Sequence, residues 1–350
     1  MMEEGINKRK TEHIRHCLTG NVEGVNKSTG LEGISFIHNA LPEINFDDIN
    51  LSATFLDKQL KAPFLVSSMT GGSELATKIN QNLAVAAEEK GWAVGLGSTR
   101  AFLESDAHKD SFLIRKQAPT VPLIANIGAV QLNYGYGAED CQRIVDLTGA
   151  DSIYLHLNPL QEAVQDEGDL DFENLLSKIE KVCTALDVPV GVKEVGFGID
   201  GTVAKKLYDA GISYIDVAGA GGTSWSQVEK LRSKDPLKKA AAEAFNNWGI
   251  PTKDCIVSVR DVLPDAPIVS SGGMKTGVDA AKALTIGADI VGFARKLLQA
   301  ATESAEAVIQ TMDQIELELK MTMLGVGAKT ITDLKNTKRV TIMGQSLLED

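Results

Sequence analysis

The sequence predicts an α/β fold, a (β/α)8 TIM barrel with an N-terminal extension and a long insertion after its sixth strand. Two observations predict it. From residue 62 onward, eight short aliphatic runs alternate with stretches of helical spacing, and no second block of strands follows them. Hydrophobic residues make up 43% of the 350 residues, which is enough for one large core. Alternating strands and helices favour a parallel sheet, and eight such units favour its closure into a barrel.

The predicted strands are short and aliphatic and end at a glycine or a polar residue, as buried parallel strands do. In order they are 62–69, 92–97, 122–128, 152–157, 188–195, 214–219, 267–273 and 290–295. Apolar residues at every third or fourth position predict helices at 73–90, 106–117, 137–149, 171–185, 200–210, 252–262, 275–286 and 296–323. An open doubly wound sheet is the alternative, but it usually starts with a GxGxxG turn, whereas the first turn here is SSMTGGSE.

Two segments lie outside this repeat. Residues 1–61 form an N-terminal extension with a basic segment near its start and a predicted hairpin in LSATFLDKQLKAPF, at 51–64, which can plug the barrel floor. Residues 220–251 form the long insertion, and insertions at this end of a barrel are commonly lids or substrate loops. No linker composition separates a second domain, so residues 62–350 are expected to fold as one barrel.

The acidic composition limits the partners of the protein. A formal net charge of −12 argues against a general nucleic-acid binder, because neutralising phosphates requires a basic surface. No apolar run approaches the ~18 residues of a membrane span, and the N-terminus lacks a signal-length apolar stretch, so we expect a cytoplasmic protein with no membrane partner. The four cysteines are scattered without a CxxC pair, which favours reduced thiols over disulfides or a zinc site.

The exits of strands seven and eight predict a phosphate site. Gly272 and Gly273 precede a helix that starts near Lys275, and Ala294 and Arg295 precede the last helix. Backbone N–H groups at helix N-termini bind anions, and the loops after strands seven and eight frequently hold phosphate in this fold. A glycine pair alone is weak evidence, because tight turns also require glycine. The prediction therefore depends on its combination with GFAR at the next strand.

Polar residues at the other strand exits ring the same mouth, and together with a phosphate site they suit flavin mononucleotide (FMN). They are Thr70, Ser98, Asn126, Lys193 and Thr223. A buried ammonium is costly unless an anion meets it, and beside the N1–C2=O edge of a flavin Lys193 would stabilise the anionic reduced ring. An ion pair with Glu194 or Asp216 is the alternative for Lys193. Loop hydrogen bonding is the alternative for Asn126 and Thr223.

A second anion site is predicted from residues 7–16, where four cations and two histidines lie within ten residues. A solvated basic tail is the alternative. Arg100 at a strand exit would face the same mouth, however, and a diphosphate requires two or three such cations or a metal. Glu162 in the run HLNPLQE is the candidate carboxylate for Mg²⁺, and Asn158 can support the metal shell through water. His156 in this run is either a site residue or an ordinary histidine at the edge of the core.

The motifs at these positions resemble those of a known family. In order they are RKTEHI at 9–14, SSMTGG at 67–72, GSTR at 97–100, ANIG at 125–128, HLNPLQE at 156–162, VKEVGFGI at 192–199, AGAGGTSW at 218–225, SGGMKTG at 271–277 and GFAR at 292–295. Together they resemble the type 2, flavin-dependent isopentenyl-diphosphate delta-isomerases over nearly the whole chain. The pairing of RKxxHI with HLNxxQE is specific to that family rather than to FMN barrels in general.

The resemblance implies an FMN-bound barrel that interconverts isopentenyl and dimethylallyl diphosphate in isoprenoid biosynthesis. It also implies reduction of the flavin by NADPH, a requirement for Mg²⁺, and a homotetramer or homo-octamer. The implied FMN contacts are Ser68, Met69, Thr70, Ser98, Asn126, Lys193, Thr223, Gly273, Met274, Lys275, Ala294 and Arg295. The implied substrate contacts are Arg9, Lys10, His13, Ser98, Thr99, Arg100, Asn158 and Gln161, with Glu162 as the metal ligand and Gln161 and His156 as catalytic residues.

The residue types also bear on the mechanism. The substrate alkene is weakly basic, so a 1,3-proton shift requires a strong local acid and stabilisation of a carbocation-like state. No cysteine or glutamate pair is placed for this, whereas reduced flavin can deliver a proton from N5, with Gln161 positioning or relaying it. The absence of GxGxxG fits a nicotinamide that reduces the flavin and leaves. The alternatives are an FMN oxidoreductase of the 2-hydroxy-acid or dihydroorotate type, with His156 as its base, and a non-catalytic phosphate-binding barrel.

Overall fold

A computed structural model of the chain describes residues 2–104, 109–343 and 345–346. Its strands are β1 Ile34–Phe36, β2 Ala53–Phe55, β3 Lys58–Leu60, β4 Phe64–Val66, β5 Ala93–Gly95, β6 Leu123–Gly128, β7 Ser152–His156, β8 Val190–Lys193, β9 Tyr214–Asp216, β10 Ile268–Ser270, β11 Ile290–Phe293, β12 Val340–Ile342 and β13 Gln345–Ser346. Strands β4 to β11 pair in parallel in sequence order, and β11 returns to β4, which closes the barrel. Each of these eight strands lies within a predicted run, so the fold prediction is confirmed.

Helices surround the barrel and fill the connections between its strands. They are α1 Met2–Thr19, α2 Glu74–Lys90, α3 Arg100–Glu104, α4 Ala138–Thr148, α5 Pro159–Val164, α6 Leu175–Ala185, α7 Gly201–Asp209, α8 Trp225–Arg232, α9 Pro236–Glu243, α10 Thr252–Val262, α11 Gly277–Thr285, α12 Arg295–Glu303, α13 Ala305–Val326 and α14 Ile331–Lys335. Helices α8 and α9 form the insertion that was predicted after the sixth barrel strand. No helix within the described ranges is long and apolar enough to cross a membrane.

The predicted helix at 106–117 is wrong where the structure describes it. Residues 106–108 lie outside the described residues, and 109–111 form only one turn of 3-10 helix. The Asn80 side chain donates to the Ser111 carbonyl at 2.7 Å, and the Gly72 N–H donates to the Ser111 hydroxyl at 2.8 Å. Phe112 stacks on Phe102 with ring centroids 5.7 Å apart. Tertiary contacts with α2 and the first strand exit therefore replace the helical hydrogen bonds that the apolar spacing suggested.

The single helix predicted at 296–323 is also wrong, because the helix is interrupted at Ser304. The backbone there is extended, and the Ser304 hydroxyl accepts from the Ala307 N–H at 3.2 Å, so it caps a new helix. Helix α12 ends at this break, and α13 then packs against α2 and α11. The change of direction lets α13 cover two neighbouring helices of the barrel, which one straight helix cannot do.

The barrel interior changes from apolar to polar toward the carboxyl ends of its strands. The lower layer is apolar or aromatic and consists of Leu65, Ala93, Ile124, Tyr154, Tyr214, Val269 and Ile290. Two residues further along each strand, on the same face, stand Ser67, Gly95, Asn126, His156, Asp216, Ser271 and Gly292. The strand alternation therefore places small or polar residues under the barrel mouth.

The hairpin formed by β2 and β3 closes the opposite end of the barrel. Phe55 and Leu60 are buried and pack against the lower layer, with the Phe55 and Tyr214 rings 5.2 Å apart. Strand β12 pairs antiparallel with β1 of the N-terminal extension. The extension is thus attached to the barrel through its floor and through the C-terminal segment.

Candidate active site

A cavity of about 390 Å³ opens at the carboxyl end of the barrel. We call it the upper cavity. Every residue predicted to contact FMN lines it, namely Ser68, Met69, Thr70, Ser98, Asn126, Lys193, Thr223, Gly273, Met274, Lys275, Ala294 and Arg295. These residues come from seven barrel strands and their exits, which are far apart in sequence, so barrel closure is what brings them together.

The chemistry of this lining fits a phosphorylated flavin. The hydroxyl oxygens of Ser67, Ser68 and Thr70 are buried and have no hydrogen-bond partner in residues 2–104, 109–343 or 345–346. A buried polar group without a partner is costly, so these hydroxyls favour a polar ligand. A Cβ on Gly222 would lie 2.5 Å from the Gly273 nitrogen, so the loops after β9 and β10 approach backbone to backbone. Helix α12 begins at this cavity's rim, and its N-terminus suits a phosphate. The first N–H groups of α11 instead donate to the Asp279 and Glu318 carboxylates.

A second cavity of about 80 Å³ adjoins the first, and we call it the side cavity. It is lined by the predicted substrate residues Arg9, Lys10, His13, Ser98, Arg100, Asn158 and Gln161 and by Glu162. The two cavities share Lys10, His13, Ser98, His156 and Gln161. Thr99 lines neither of them: it is fully buried, and its hydroxyl donates to the Asn126 carbonyl at 2.7 Å. Its side chain supports β6, and contact between Thr99 and a substrate stays a prediction.

The basic segment is part of helix α1 and is not a solvated tail. His13 and Ile14 are buried, and α1 packs against α8 and α12. Burial, and secondly the charge of Arg9, lower the pKa of Lys10 to about 8. The buried Arg9 Nε has no hydrogen-bond partner within the described part of the chain. Cations held together without enough anions favour an anionic ligand, which agrees with a diphosphate site.

Glu229 of α8 is a site residue that the sequence analysis missed. It is 1% exposed, and its Oε1 accepts from His13 Nε2 at 2.9 Å and from Gln161 Nε2 at 3.2 Å. Burial would raise the pKa of Glu229, but the hydrogen bond from His13 and the charge of Arg232 outweigh it and hold the pKa at about 2. A carboxylate four residues after Trp225, on the same face of the helix, was the available signal.

Burial favours the neutral form of both His13 and His156. Burial lowers the pKa of His13 to about 4. Burial, together with the charges of Lys193 and Lys10, lowers the pKa of His156 to about 3. His156 Nδ1 lies 2.9 Å from Asn126 Oδ1, so Nδ1 carries the hydrogen and Nε2 is left as an acceptor.

Lys193 is buried at the floor of the upper cavity. Its ammonium donates to the Glu194 carbonyl at 2.6 Å. Its charge opposes the rise in pKa that burial causes at Glu194 and Asp216, but neither carboxylate is its hydrogen-bond partner in the portion of the chain described. Glu194 Oε2 instead accepts from the N–H groups of residues 195 and 197, both at 2.6 Å. Asp216 Oδ1 accepts from the Ser271 hydroxyl at 2.6 Å. The ammonium of Lys193 therefore remains available to a ligand in the cavity.

Glu162 is the buried carboxylate of the side cavity. Its Oε1 accepts from Asn158 Nδ2 at 2.8 Å, its Oε2 accepts from the Asp169 N–H at 2.9 Å, and burial raises its pKa. Asn158 Oδ1 is buried and lacks a partner among the residues described. Among the residues that the structure describes, no group of three or more His, Cys, Asp or Glu side chains is placed to hold a metal ion by itself. Mg²⁺ commonly takes one carboxylate together with water and substrate phosphate, so this donor set fits Mg²⁺ only when a phosphate is present.

The fold and the upper cavity define a class of flavin enzymes. Residues 156–341 match the family model of the FMN-dependent dehydrogenases. A solved structure of flavocytochrome b2 with pyruvate bound superposes with a TM-score of 0.67, covering 98% of this chain and 84% of that chain at 16% identity. At this identity the superposition supports the fold alone, and the family match supports FMN dependence.

Two relatives identify the family more closely. The isopentenyl-diphosphate delta-isomerase of Oceanobacillus iheyensis is 80% identical over 348 residues, which are 99% of this chain and 100% of that protein. The isopentenyl-diphosphate delta-isomerase of Rickettsia africae is 51% identical over 327 residues, which are 93% and 95% of the two chains. The chain belongs to the isopentenyl-diphosphate delta-isomerases, in their FMN-dependent form. The family resemblance predicted from the sequence motifs is therefore confirmed.

Proposed function

We propose that the enzyme interconverts isopentenyl and dimethylallyl diphosphate by a 1,3-proton shift in isoprenoid biosynthesis, with FMN in the upper cavity and the diphosphate in the side cavity. The observation that carries this proposal is that the two cavities share a boundary. His13, Gln161 and His156 line both of them. A hydrocarbon chain attached to a diphosphate in one cavity can thus reach a cofactor in the other.

The side cavity supplies the groups that a diphosphate requires. Arg9 and Lys10 on α1 and Arg100 on α3 provide the positive charge. Glu162 is positioned by Asn158 to hold Mg²⁺ together with the phosphate oxygens. Arg100 Nε donates to Glu104 Oε1 at 2.8 Å and its Nη1 donates to Asp169 Oδ2 at 2.7 Å, so Arg100 already has two anionic partners. Arg9 and Lys10 therefore provide the uncompensated charge.

The side chains at the shared boundary do not provide a strong acid. With pKa values of about 4 and 3, His13 and His156 carry no extra proton at neutral pH, and Glu229 is ionised. FMN that is kept reduced by NADPH supplies, when bound, the acid–base group that exchanges a proton with the substrate alkene. Protonation of an alkene produces positive charge, and the Glu229 carboxylate, which lies behind His13 and Gln161, favours positive charge on the cavity side of these two residues.

Gln161 positions the reacting end of the substrate in this proposal. Its amide is fixed from two sides, because Nε2 donates to Glu229 and Oε1 accepts from Asn158 Nδ2 at 3.3 Å. The amide is not an acid, but it holds its orientation at the boundary of the two cavities. His156 contributes through Nε2, which can accept a hydrogen bond. Met69 and Trp225 add apolar surface to the upper cavity, where a hydrocarbon binds and water is less favoured.

An anaerobic assay tests the function. Purified protein receives FMN, dithionite, Mg²⁺ and isopentenyl diphosphate, and the product is followed by NMR in D₂O. We expect dimethylallyl diphosphate with deuterium incorporated and no NADPH required. An oxidoreductase would instead consume one reductant per product, and such stoichiometry would overturn the proposal.

Replacement of FMN by 5-deaza-FMN tests the acid–base role of the flavin separately. We expect loss of turnover, because the analogue lacks the nitrogen at position 5. Retained turnover would refute the acid–base role of the flavin, but it would not contradict the assignment of the two diphosphates as substrates.

The homotetramer or homo-octamer and the cytoplasmic location remain predictions. Light scattering of the purified protein measures the oligomeric state.

A further inference from the structure

Two cations of the expected FMN phosphate site already contact a carboxylate of this chain. Glu23 Oε1 lies 2.9 Å from Arg295 NH1, and Glu23 Oε2 lies 3.5 Å from Lys275 Nζ. Glu23 also lines the upper cavity. An anion from residues 1–61 therefore lies where the loops after β10 and β11 were predicted to hold phosphate.

Residues 20–30, which we call the strap, hold Glu23 at this position. Glu23 forms an isolated antiparallel bridge with Thr223, and the Ser224 N–H donates to the Val22 carbonyl at 2.7 Å. Further along, the Lys253 N–H donates to the Thr29 carbonyl at 2.9 Å. The strap thus crosses the rim of the barrel on backbone hydrogen bonds, which do not depend on the Glu23 side chain.

Arg295 links this contact to the helix that carries the substrate cations. Its Nε donates to the Cys17 carbonyl at 2.8 Å, and its NH2 donates to the Gly20 carbonyl at 3.5 Å, at the C-terminal end of α1. A positive charge at a helix C-terminus is favourable. The same guanidinium therefore caps α1 and pairs with Glu23.

The ion pairs of Glu23 are of the kind that a ligand can replace. The side chains of Glu23, Arg295 and Lys275 are 40%, 34% and 59% exposed, so solvent screens the pairs and each contributes little. A phosphate group has more charge than a carboxylate and accepts from the same donors. Its arrival next to Glu23 also brings two anions together, which costs free energy unless the carboxylate moves away.

We propose that Glu23 is an internal counter-anion of the phosphate subsite, which occupies Lys275 and Arg295 in the flavin-free protein and releases them to the FMN phosphate. The proposal rests on the proposed function, because it takes FMN as the ligand of the upper cavity. In this proposal, Glu23 lowers the affinity of the protein for FMN. The carboxylate also neutralises the two cations while the site holds no phosphate.

The test is a titration of the flavin-free protein, followed by quenching of flavin fluorescence. Glu23→Gln keeps the shape of the side chain and removes its charge. We expect its Kd for FMN to fall about two- to fivefold, the range of a partly exposed ion pair. Its Kd for riboflavin, which has no phosphate, should equal that of the wild type. Glu306→Gln, an exposed glutamate of α13, is the matched control and should change neither Kd.

The outcomes separate this inference from the proposed function. An unchanged or higher FMN Kd for Glu23→Gln overturns the inference alone, and so does an equal gain for riboflavin. Lys275→Gln, at an exposed position, should weaken FMN binding and leave riboflavin binding unchanged. Equal FMN affinity of Lys275→Gln and the wild type would overturn the phosphate subsite itself, and the inference with it.

Discussion

Lys10 should make the affinity for the substrate depend on pH. Its ammonium lies at the boundary of the two cavities, where burial, and secondly the charge of Arg9, lower its pKa to about 8. Only the protonated form attracts a diphosphate. Because deprotonation removes positive charge from the free enzyme, the KM for isopentenyl diphosphate should be constant below about pH 8 and should rise above it.

The magnitude follows from the titration of one group. With a pKa of about 8, about nine-tenths of Lys10 is protonated at about pH 7 and about one-tenth at about pH 9. If the protonated form alone binds, KM should rise about tenfold over this interval, while kcat changes much less. Initial rates with reduced FMN and saturating Mg²⁺, measured over a series of pH values, give both constants.

Arginine provides the matched control for this prediction. Lys10→Arg remains protonated throughout the interval, so its KM should stay constant between about pH 7 and about pH 9. Lys10→Met should have a high KM at every pH. A wild-type KM that stays constant up to about pH 9 would refute the assignment of Lys10, and a parallel rise in Lys10→Arg would assign the titration to another group.

Three further substitutions test other parts of the site. Glu229→Gln removes the negative charge to which His13 and Gln161 donate, and weakening of charged hydrogen bonds worth about 1.5–3 kcal/mol should lower kcat about ten- to a hundredfold while the FMN Kd is unchanged; a change confined to KM would contradict this. Glu162→Gln should raise the Mg²⁺ concentration needed for half-maximal rate, and an unaltered Mg²⁺ dependence would exclude Glu162 as the ligand. Glu194→Ala should lower the free energy of unfolding by about 1–3 kcal/mol in urea, because it leaves the backbone N–H groups that donate to Oε2 without their acceptor; stability equal to that of the wild type would refute it.

The positions of the strands and of the phosphate loops could be predicted because their signals are local. Each barrel strand is an aliphatic run of a few residues, and the glycines at 272 and 273 are required by their backbone, with φ values of 95° and 77°. The repetition of eight strand–helix units then predicted that the sheet closes into a barrel. The lining of the upper cavity followed from the rule that strand exits share one mouth.

Contacts between distant segments could not be predicted in this way. Glu229 meets His13 across 216 positions of the chain, and Glu23 meets Arg295 across 272 positions. Neither carboxylate has a local signal strong enough to separate it from the many surface carboxylates of an acidic chain. The same limitation explains the helix predicted at 106–117, where the side chain of Asn80 takes the carbonyl of Ser111.

The sequence by itself determined the barrel, its order of strands and the set of residues at its mouth, because periodicity and turn chemistry act over about ten residues. Only the tertiary structure decided which of these residues have hydrogen-bond donors and charges available to a ligand. Packing of α1 and α8 over the mouth half-buried Lys10, buried His13 and paired His13 with Glu229, and the strap placed Glu23 on Arg295. Burial and pairing set the charge of each group, and both depend on how the whole chain closes.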